Sequence, residues 1–286
     1  MNFSNVNSDL FIPDSLSGEM SLGRTTHLGV GAHQDDLEFM ALHGILECFQ
    51  RTDKWFGGVT CTDGAGSSRI GPYRTFTDDD MKAVRVREQK TASVIGQYSF
   101  MAQLGHPSCV SKNTDLRSAM VDDLEMILKA TLPEVVYTHN PFDKHATHIG
   151  VFLALLAAIR RLPEGERPTQ LIGCEVWRGL DWLPDELKLV LPLDEHPNLA
   201  TSLNGVFDSQ IVGGKRYDLA VEGRRLANAT FFDSHSSDGS QRIAYSLDMS
   251  ELMLGNISLE HYCQRILTVF NQEVLGGIDF SCMVQV

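Results

Sequence analysis

From about residue 25 the chain alternates short apolar runs with longer segments of helical period, the rhythm of βα units feeding a mostly parallel sheet. His27 to Ala32 (HLGVGA) predicts a first strand, and Asp35 to about Phe49 the helix that follows. Phe56 to Thr62 (FGGVTCT) predicts the second strand, followed by a Gly/Ser loop from Asp63 and a polar helix around Asp79 to Ile95. Tyr98 to Leu104 reads as a third strand, Asp115 to Ala130 as a helix and Glu134 to His139 (EVVYTH) as a fourth strand. Thr147 to Arg161 is apolar almost all round, which predicts a buried helix or one covering a sheet face beneath another layer. Gln170 to Trp177 predicts a fifth strand. Beyond it the rhythm weakens: Trp182, Pro184, the Gly213-Gly214 pair and the polar tract Ser234 to Gln241 suggest a lobe built onto the sheet. The expectation is one α/β domain over residues 1–286: a Rossmann-like, mostly parallel sheet with helices on both faces and a C-terminal extension. Its core would span about 25–178 and its lobe about 179–286.

Charge narrows the partners. The 286 residues carry 24 Lys+Arg against 37 Asp+Glu, a net charge of −13 spread along the chain. That balance works against nucleic acid, whose phosphates are neutralised by clustered cations. The first twenty residues hold no basic stretch and no apolar run of signal-peptide length, and the longest apolar run, Val151 to Ile159, is far short of the about 20 residues that span a bilayer. A cytoplasmic protein without a membrane partner is expected; a homo-oligomer is left open. Six cysteines (Cys48, Cys61, Cys109, Cys174, Cys263, Cys282) contain no CxxC pair and read as buried or idle thiols.

Two clusters then carry the chemistry, each just after a predicted strand. The first is Ala32-His33-Gln34-Asp35-Asp36-Leu37-Glu38, the second His145-Ala146-Thr147-His148. In a doubly wound sheet of order 3-2-1-4-5, strands one and four are neighbours at the switch point, so their C-terminal loops face each other across the ligand crevice. His33 and Asp36 are three apart at one turn, as are His145 and His148 at the other. Imidazole nitrogens and carboxylate oxygens converging there suit a divalent metal. Three protein ligands plus water make an open catalytic zinc site, and a second carboxylate aimed at that water serves as general base.

AHQDDLEF and HATHIGV resemble the paired motifs AHPDDxE and HxDHxxV of the LmbE-like, or PIG-L, zinc-dependent N-deacetylase family. Thr62-Asp63-Gly64-Ala65-Gly66 is similar to its TDGxxG loop, and Arg85-Val86-Arg87-Glu88 with Ile95-Gly96 to its RxxE…LG helix. The likeness covers most of His27 to about Gln210, including Glu175 to Pro184. It implies that His33, Asp36 and His148 hold one zinc ion per chain, with ferrous iron as the alternative ion. It further implies that Asp35 activates the water and that His145 stabilises the tetrahedral intermediate or protonates the leaving amine. The implied reaction removes an N-acetyl group from an N-acetylglucosamine-containing or similar acetylated amine, releasing acetate. Arg69 and Arg85 are the candidate contacts to such an acetylated amino-sugar, with Trp177, Trp182, Asp208, Gln210 and His235 behind them. Two positions depart from the pattern: Gln34 replaces the usual proline, and Thr147 stands where an aspartate often orients the neighbouring histidine.

Plainer readings exist for the same residues. Asp35 and Glu38 have the spacing of a helix N-cap and its partner. His148 would cap the following helix or bond a carbonyl, His43 would be a satisfied core histidine, and His139 an exposed or bridging one. Trp177 and Trp182 suit a core. Arg85, Arg87 and Glu88 suit surface ion pairs. The glycines after the second strand fail the dinucleotide pattern. Two other functions compete: an iron(II) oxygenase, for which His33-Gln34-Asp35 and a distant histidine have the facial-triad spacing but whose usual all-β barrel does not match this βα rhythm, and a non-catalytic carbohydrate-binding module.

Overall fold

The structure is a computed structural model, and residues 1–278 are described. Its frame is eight strands: β1 (Asp9–Phe11), β2 (His27–Gly31), β3 (Phe56–Thr62), β4 (Phe100–His106), β5 (Val135–His139), β6 (Gln170–Cys174), β7 (Leu189–Pro192) and β8 (Ile243–Asp248). They lie in the order β1-β4-β3-β2-β5-β6-β8-β7. The five strands expected from the apolar runs form the parallel centre, β4-β3-β2-β5-β6, which is the doubly wound 3-2-1-4-5 order. Every residue of β2 and β3 is buried, as strands covered on both faces must be.

The helices are α1 (Gly18–Gly23), α2 (Asp36–Met40), α3 (Leu42–Cys48), α4 (Asp78–Ile95), α5 (Ser108–Lys112), α6 (Ser118–Thr131), α7 (Ala146–Arg161), α8 (Pro197–Gly205), α9 (Asp208–Ile211), α10 (Tyr217–Phe231), α11 (Ser250–Leu254) and α12 (Leu259–Gly276). Two apolar cores result. One gathers Val30, Val59, Leu124, Phe152 and Leu155 on the α6 and α7 face. The other gathers Leu37, Ile45, Met101, Leu199 and Phe207 on the opposite face. Helix α7, apolar all round, is the buried element its pattern predicts. Gly150 permits its close approach to α5, since a Cβ there would stand 2.2 Å from the Ser111 carbonyl oxygen.

Three local differences from the sequence reading have physical causes. The short β1 pairs antiparallel with the edge of β4 and has too few residues to show a period. Beyond residue 178, β8 pairs antiparallel with β6 and β7 with β8, so the lobe lengthens the same sheet. The helix expected from Asp35 to Phe49 is broken at Ala41 (φ −104°, ψ 20°). An unbroken helix would commit the Glu38 and Phe39 carbonyls to Leu42 and His43. Arg225 Nη2 from α10 donates to both instead, at 2.9 and 3.1 Å.

Candidate metal centre and cleft

At the end of β2 the chain turns sharply, and the Asp36 carboxylate fastens the turn by accepting from the Ala32 N–H (3.0 Å) and the His33 N–H (2.7 Å). This brings Asp36 Oδ2 to 3.3 Å from His33 Nδ1. From the first turn of α7, His148 sends Nε2 to 3.2 Å from His33 Nδ1 and 3.5 Å from Asp36 Oδ1. The switch point therefore joins the two sequence clusters. His148 Nδ1 donates to Asp143 Oδ2 at 3.1 Å, both side chains fully buried, which fixes the tautomer and leaves the Nε2 lone pair facing His33.

These separations fit a shared cation. Ligand atoms bound tetrahedrally at about 2.0–2.1 Å lie roughly 3.3 Å from one another; His33 Nδ1 and His148 Nε2 are 3.2 Å apart, and the Asp36 carboxylate meets the first through Oδ2 at 3.3 Å and the second through Oδ1 at 3.5 Å. Donor atoms of Asp36, His139 and His148 also lie within 4.8 Å of one another, as do those of His33, His145 and His148. His139 is buried and stacked on His148 at 3.9 Å, so it is not exposed, and its Nε2 lies 3.4 Å from Asp36 Oδ2. Its Nε2 accepts the Ala32 N–H at 2.9 Å, which occupies the lone pair a metal would need. Burial opposes ionisation of Asp36, but His148 and His33 outweigh it and hold its carboxyl well below the usual range. His148 is raised despite burial, by Asp36 and Asp143.

Asp35 lies beside the cluster in a left-handed conformation, φ 105°, which costs a non-glycine residue about 1–3 kcal/mol and marks an over-determined position. It is the N-cap of α2, yet its side chain makes no capping bond. The plain N-cap reading therefore fails. Its N–H donates to Gln89 Oε1 (3.1 Å), Gln89 Nε2 donates to Glu38 Oε1 (2.8 Å), and the Tyr98 hydroxyl donates to the same oxygen (2.7 Å). The carboxylate stands 3.5 Å from Arg85 Nη2. Burial pushes the Asp35 carboxyl well above its usual range, with Asp36 and Glu38 adding to the shift and Arg85 opposing it. Burial likewise raises Glu38, to about 7.

Arg85 and Glu88 are buried, not paired at the surface. Arg85 donates to the Gln34 carbonyl and to Ser67 Oγ, while Glu88 accepts from the N–H and hydroxyl of Ser209, each at 2.7 Å. Gln34 uses the amide that a proline lacks, donating to the Thr62 carbonyl (3.1 Å) and to Gln103 Oε1 (3.2 Å). Gly64 closes the arrangement at φ 70°, where a Cβ would meet Gln34 Oε1 at 2.6 Å and Arg85 Cδ at 2.7 Å. Arg69, expected at the rim, is spent on bracing its own loop: it donates to the Ala65 and Phe76 carbonyls and pairs with Asp78, and it does not line the cleft.

A cleft of about 710 Å³ opens over the cluster, lined by His33, Asp35, Asp36, Arg85, His145 and Trp177 among others. That volume suits a ligand of drug size. The His145 ring stacks on Trp177 with centroids 5.8 Å apart, and Lys215 Nζ lies 4.6 Å from the Trp177 ring centroid. Thr147 is buried with its hydroxyl unpartnered, and His145 Nδ1 is unpartnered too. Burial, then His148 and His33, lowers His145 to about 4 and outweighs Asp36 and Asp143, which favour the protonated form expected of it. Gln210 lines the cleft, whereas Trp182 packs between Phe142 and Phe270. Asp208 accepts from the Tyr73 hydroxyl, and His235 lies on an exposed turn. His43 is satisfied by the Tyr137 hydroxyl at 3.0 Å. Sequence reasoning missed Asp143, Gln89, Lys215, Tyr217, Arg224 and Arg225; only Asp143, a polar residue just past a strand end, offered any signal. Five cysteines are free, and Cys282 lies outside the described residues.

Fold and site define an α/β protein with a histidine–aspartate cluster, able to hold a metal ion, at the switch point of its sheet. Residues 28–159, the stretch that holds both motifs, match the family model described as PIG-L, GlcNAc-PI de-N-acetylase. No curated protein matches the chain significantly. Among solved structures, a conserved protein from Thermus thermophilus is 20% identical, with a TM-score of 0.59 over 79% of this chain and 94% of its own. The N,N'-diacetylchitobiose deacetylase from Pyrococcus horikoshii is 15% identical, with a TM-score of 0.60 over 82% and 87%. A 4-carboxy-2-hydroxymuconate hydratase from Pseudomonas putida is also 15% identical, with a TM-score of 0.60 over 79% and 96%. At such identity the likeness is one of fold, and the fold alone does not choose the reaction. No helix among the described residues is long and apolar enough to cross a membrane.

Proposed function

We propose that the protein is a zinc-dependent amide hydrolase that removes an N-acetyl group from an N-acetylglucosamine-containing or similar acetylated amine. The observation that carries this reading is the convergence of His33 Nδ1, His148 Nε2 and the two oxygens of the Asp36 carboxylate at 3.2–3.5 Å, beside a second buried carboxylate in a ligand-sized cleft. The match of residues 28–159 to the PIG-L family model supports it.

His33, Asp36 and His148 would hold the metal. When bound, zinc supplies a Lewis acid that polarises the acyl oxygen and lowers the pKa of water to about 7. Asp143 keeps the His148 Nε2 lone pair available. Asp35 takes the proton of the attacking water at its carboxylate, which burial has made more basic than usual. Arg85, 3.5 Å away, keeps that carboxylate aimed while Gln89 holds its backbone. His145, backed by Trp177, faces the same space and donates a hydrogen bond to the developing oxyanion. The C–N bond then breaks: the acyl carbon keeps the oxygen of water and leaves as acetate, while the nitrogen takes the proton that Asp35 accepted and then the second proton of that water, leaving as the ammonium form of the amine.

An acetate-release or free-amine assay across N-acetylglucosamine conjugates, with and without chelator, tests this. Release that a chelator abolishes and zinc restores is expected. Stoichiometric metal with ligand binding but no release from any conjugate would leave the non-catalytic binding module as the better account.

A further inference from the structure

The C-terminal lobe grips the helix that carries the metal turn. Helix α2 has only five residues, so the carbonyls of its last turn find no partner within it. Arg225, on α10 of the lobe, meets two of them: Nη2 donates to the Glu38 carbonyl at 2.9 Å and to the Phe39 carbonyl at 3.1 Å. The side chain is 3% exposed. Burial lowers its pKa to about 10 while Glu222 and Glu175 oppose the shift, so the guanidinium stays charged at neutral pH, a cation at the C-terminal end of the α2 dipole. Those two carboxylates hold other hydrogen-bond partners. Glu222 accepts from Arg242 Nε at 2.7 Å, and Glu175 accepts from the Leu180 and Tyr245 N–H groups and from Asn228 Nδ2. Tyr217 and Phe207, also from the lobe, close on the Phe39 ring of α2, with centroids 5.8 and 6.1 Å away.

The grip reaches the cluster through a short path. The Phe39 N–H donates to the Asp35 carbonyl at 3.2 Å, so a single residue links Arg225 to Asp35. Asp35 is held at φ 105°, and Asp36 follows it as the first residue of α2. The local sequence favours a different arrangement. Residues 36–48 contain no proline and several strong helix formers (Leu, Glu, Met, Ala), so an unbroken helix competes, in which the Leu42 and His43 N–H groups take the Glu38 and Phe39 carbonyls. Straightening α2 onto α3 would change the direction of α2 and shift Asp35 and Asp36 relative to His33 and His148.

We propose that Arg225 is a positioning residue: by taking the Glu38 and Phe39 carbonyls it keeps α2 apart from α3 and so fixes Asp35 and Asp36 toward the metal position. It acts through the α2 backbone and touches neither the ion nor the acyl group. Its consequence for Asp35 rests on the amide-hydrolase reading, whereas its consequence for Asp36 rests only on the cluster holding a divalent ion.

Arg225 lines the cleft, so Arg225→Ala leaves a space that a free guanidinium ion can enter. Zinc affinity, by competition with a chromophoric chelator, and acetate release from N-acetylglucosamine conjugates are measured for the native protein, Arg225→Ala, Arg225→Lys and Asn228→Ala. Asn228 is the control: it is buried one turn further along α10 and bonds Glu175, not α2. Arg225→Ala is expected to bind zinc about 10–100-fold more weakly and to lose up to about 100-fold in kcat with KM held. Guanidinium chloride, but not sodium chloride at the same ionic strength, should restore part of both. Arg225→Lys, a compact charge in place of the planar fork, should fall between, and Asn228→Ala should keep the native values. Zinc affinity within twofold of native in folded Arg225→Ala, a loss that guanidinium leaves unchanged, or an equal loss in Asn228→Ala overturns the proposal. If Arg225→Ala does not fold, Arg225→Lys decides: native zinc affinity overturns the proposal, and weakened affinity beside an unaffected Asn228→Ala upholds it. If zinc affinity follows Arg225 but no protein, the native one included, releases acetate, the positioning role stands and the hydrolase reading falls.

Discussion

Replacing Asp143 by asparagine removes one acceptor from a buried knot and leaves every candidate ligand in place. Its Oδ2 accepts from His148 Nδ1 at 3.1 Å and from the Trp177 N–H at 3.3 Å, while Oδ1 accepts from the His145 N–H at 3.0 Å. Asparagine has one acceptor oxygen, so its NH2 group must face either His148 Nδ1–H or the His145 N–H. In the first case the imidazole loses its tautomeric hold and presents Nε2–H to the metal position. Loss of such an outer partner costs about 10–100-fold in metal affinity, or about 1.4–2.7 kcal/mol. The unmet buried donor removes about 1–3 kcal/mol from stability. Zinc affinity would be measured by competition with a chromophoric chelator, and stability by urea unfolding of metal-free protein. Affinity within twofold of the native value, in a variant that remains folded, would refute the assignment of Asp143 as the residue that orients His148.

Asp35→Asn should keep the metal while losing about 10²–10⁴ in kcat; an unchanged kcat would remove Asp35 from the reaction. Gly64→Ala should destabilise by about 1–3 kcal/mol, because alanine must adopt φ 70° with its Cβ against Gln34 and Arg85, and activity should fall as Arg85 shifts; denaturant midpoints and initial rates read both. His27, lowered to about 4 chiefly by burial and then by Lys54, makes stability depend on pH. Its folded pKa lies below the unfolded value of about 6.5, so the unfolded chain binds the extra proton. Stability is therefore full above about pH 6.5 and falls by roughly 3 kcal/mol as pH drops toward 4. His27→Gln should flatten that part of the stability profile, and an unchanged slope would show that other groups cause it.

The central parallel strands were legible because burial on both faces makes them continuous apolar runs, and their order followed once the βα rhythm was seen. The convergence of His33 and Asp36 with His148 was legible for the same reason, since the switch point lies between β2 and β5. What was hidden depends on tertiary partners. No glycine or proline announces the break at Ala41; Arg225, reaching back from α10, donates to the carbonyls that the break frees. Asp143 lies five residues before His148, outside either motif, and gains its meaning only from the fold of the loop. Arg69 looked like Arg85 in the sequence. Depth separates them: one braces a loop, and the other is sealed beneath Gly64 against Asp35.

Zinc-edge anomalous diffraction from crystals grown with the metal tests the account most directly. It should reveal one ion per chain, within about 2.0–2.2 Å of His33 Nδ1, an Asp36 oxygen and His148 Nε2, and substitution of any of the three by alanine should abolish the peak. An ion bound elsewhere, or a peak that survives His148→Ala at full strength, would contradict it.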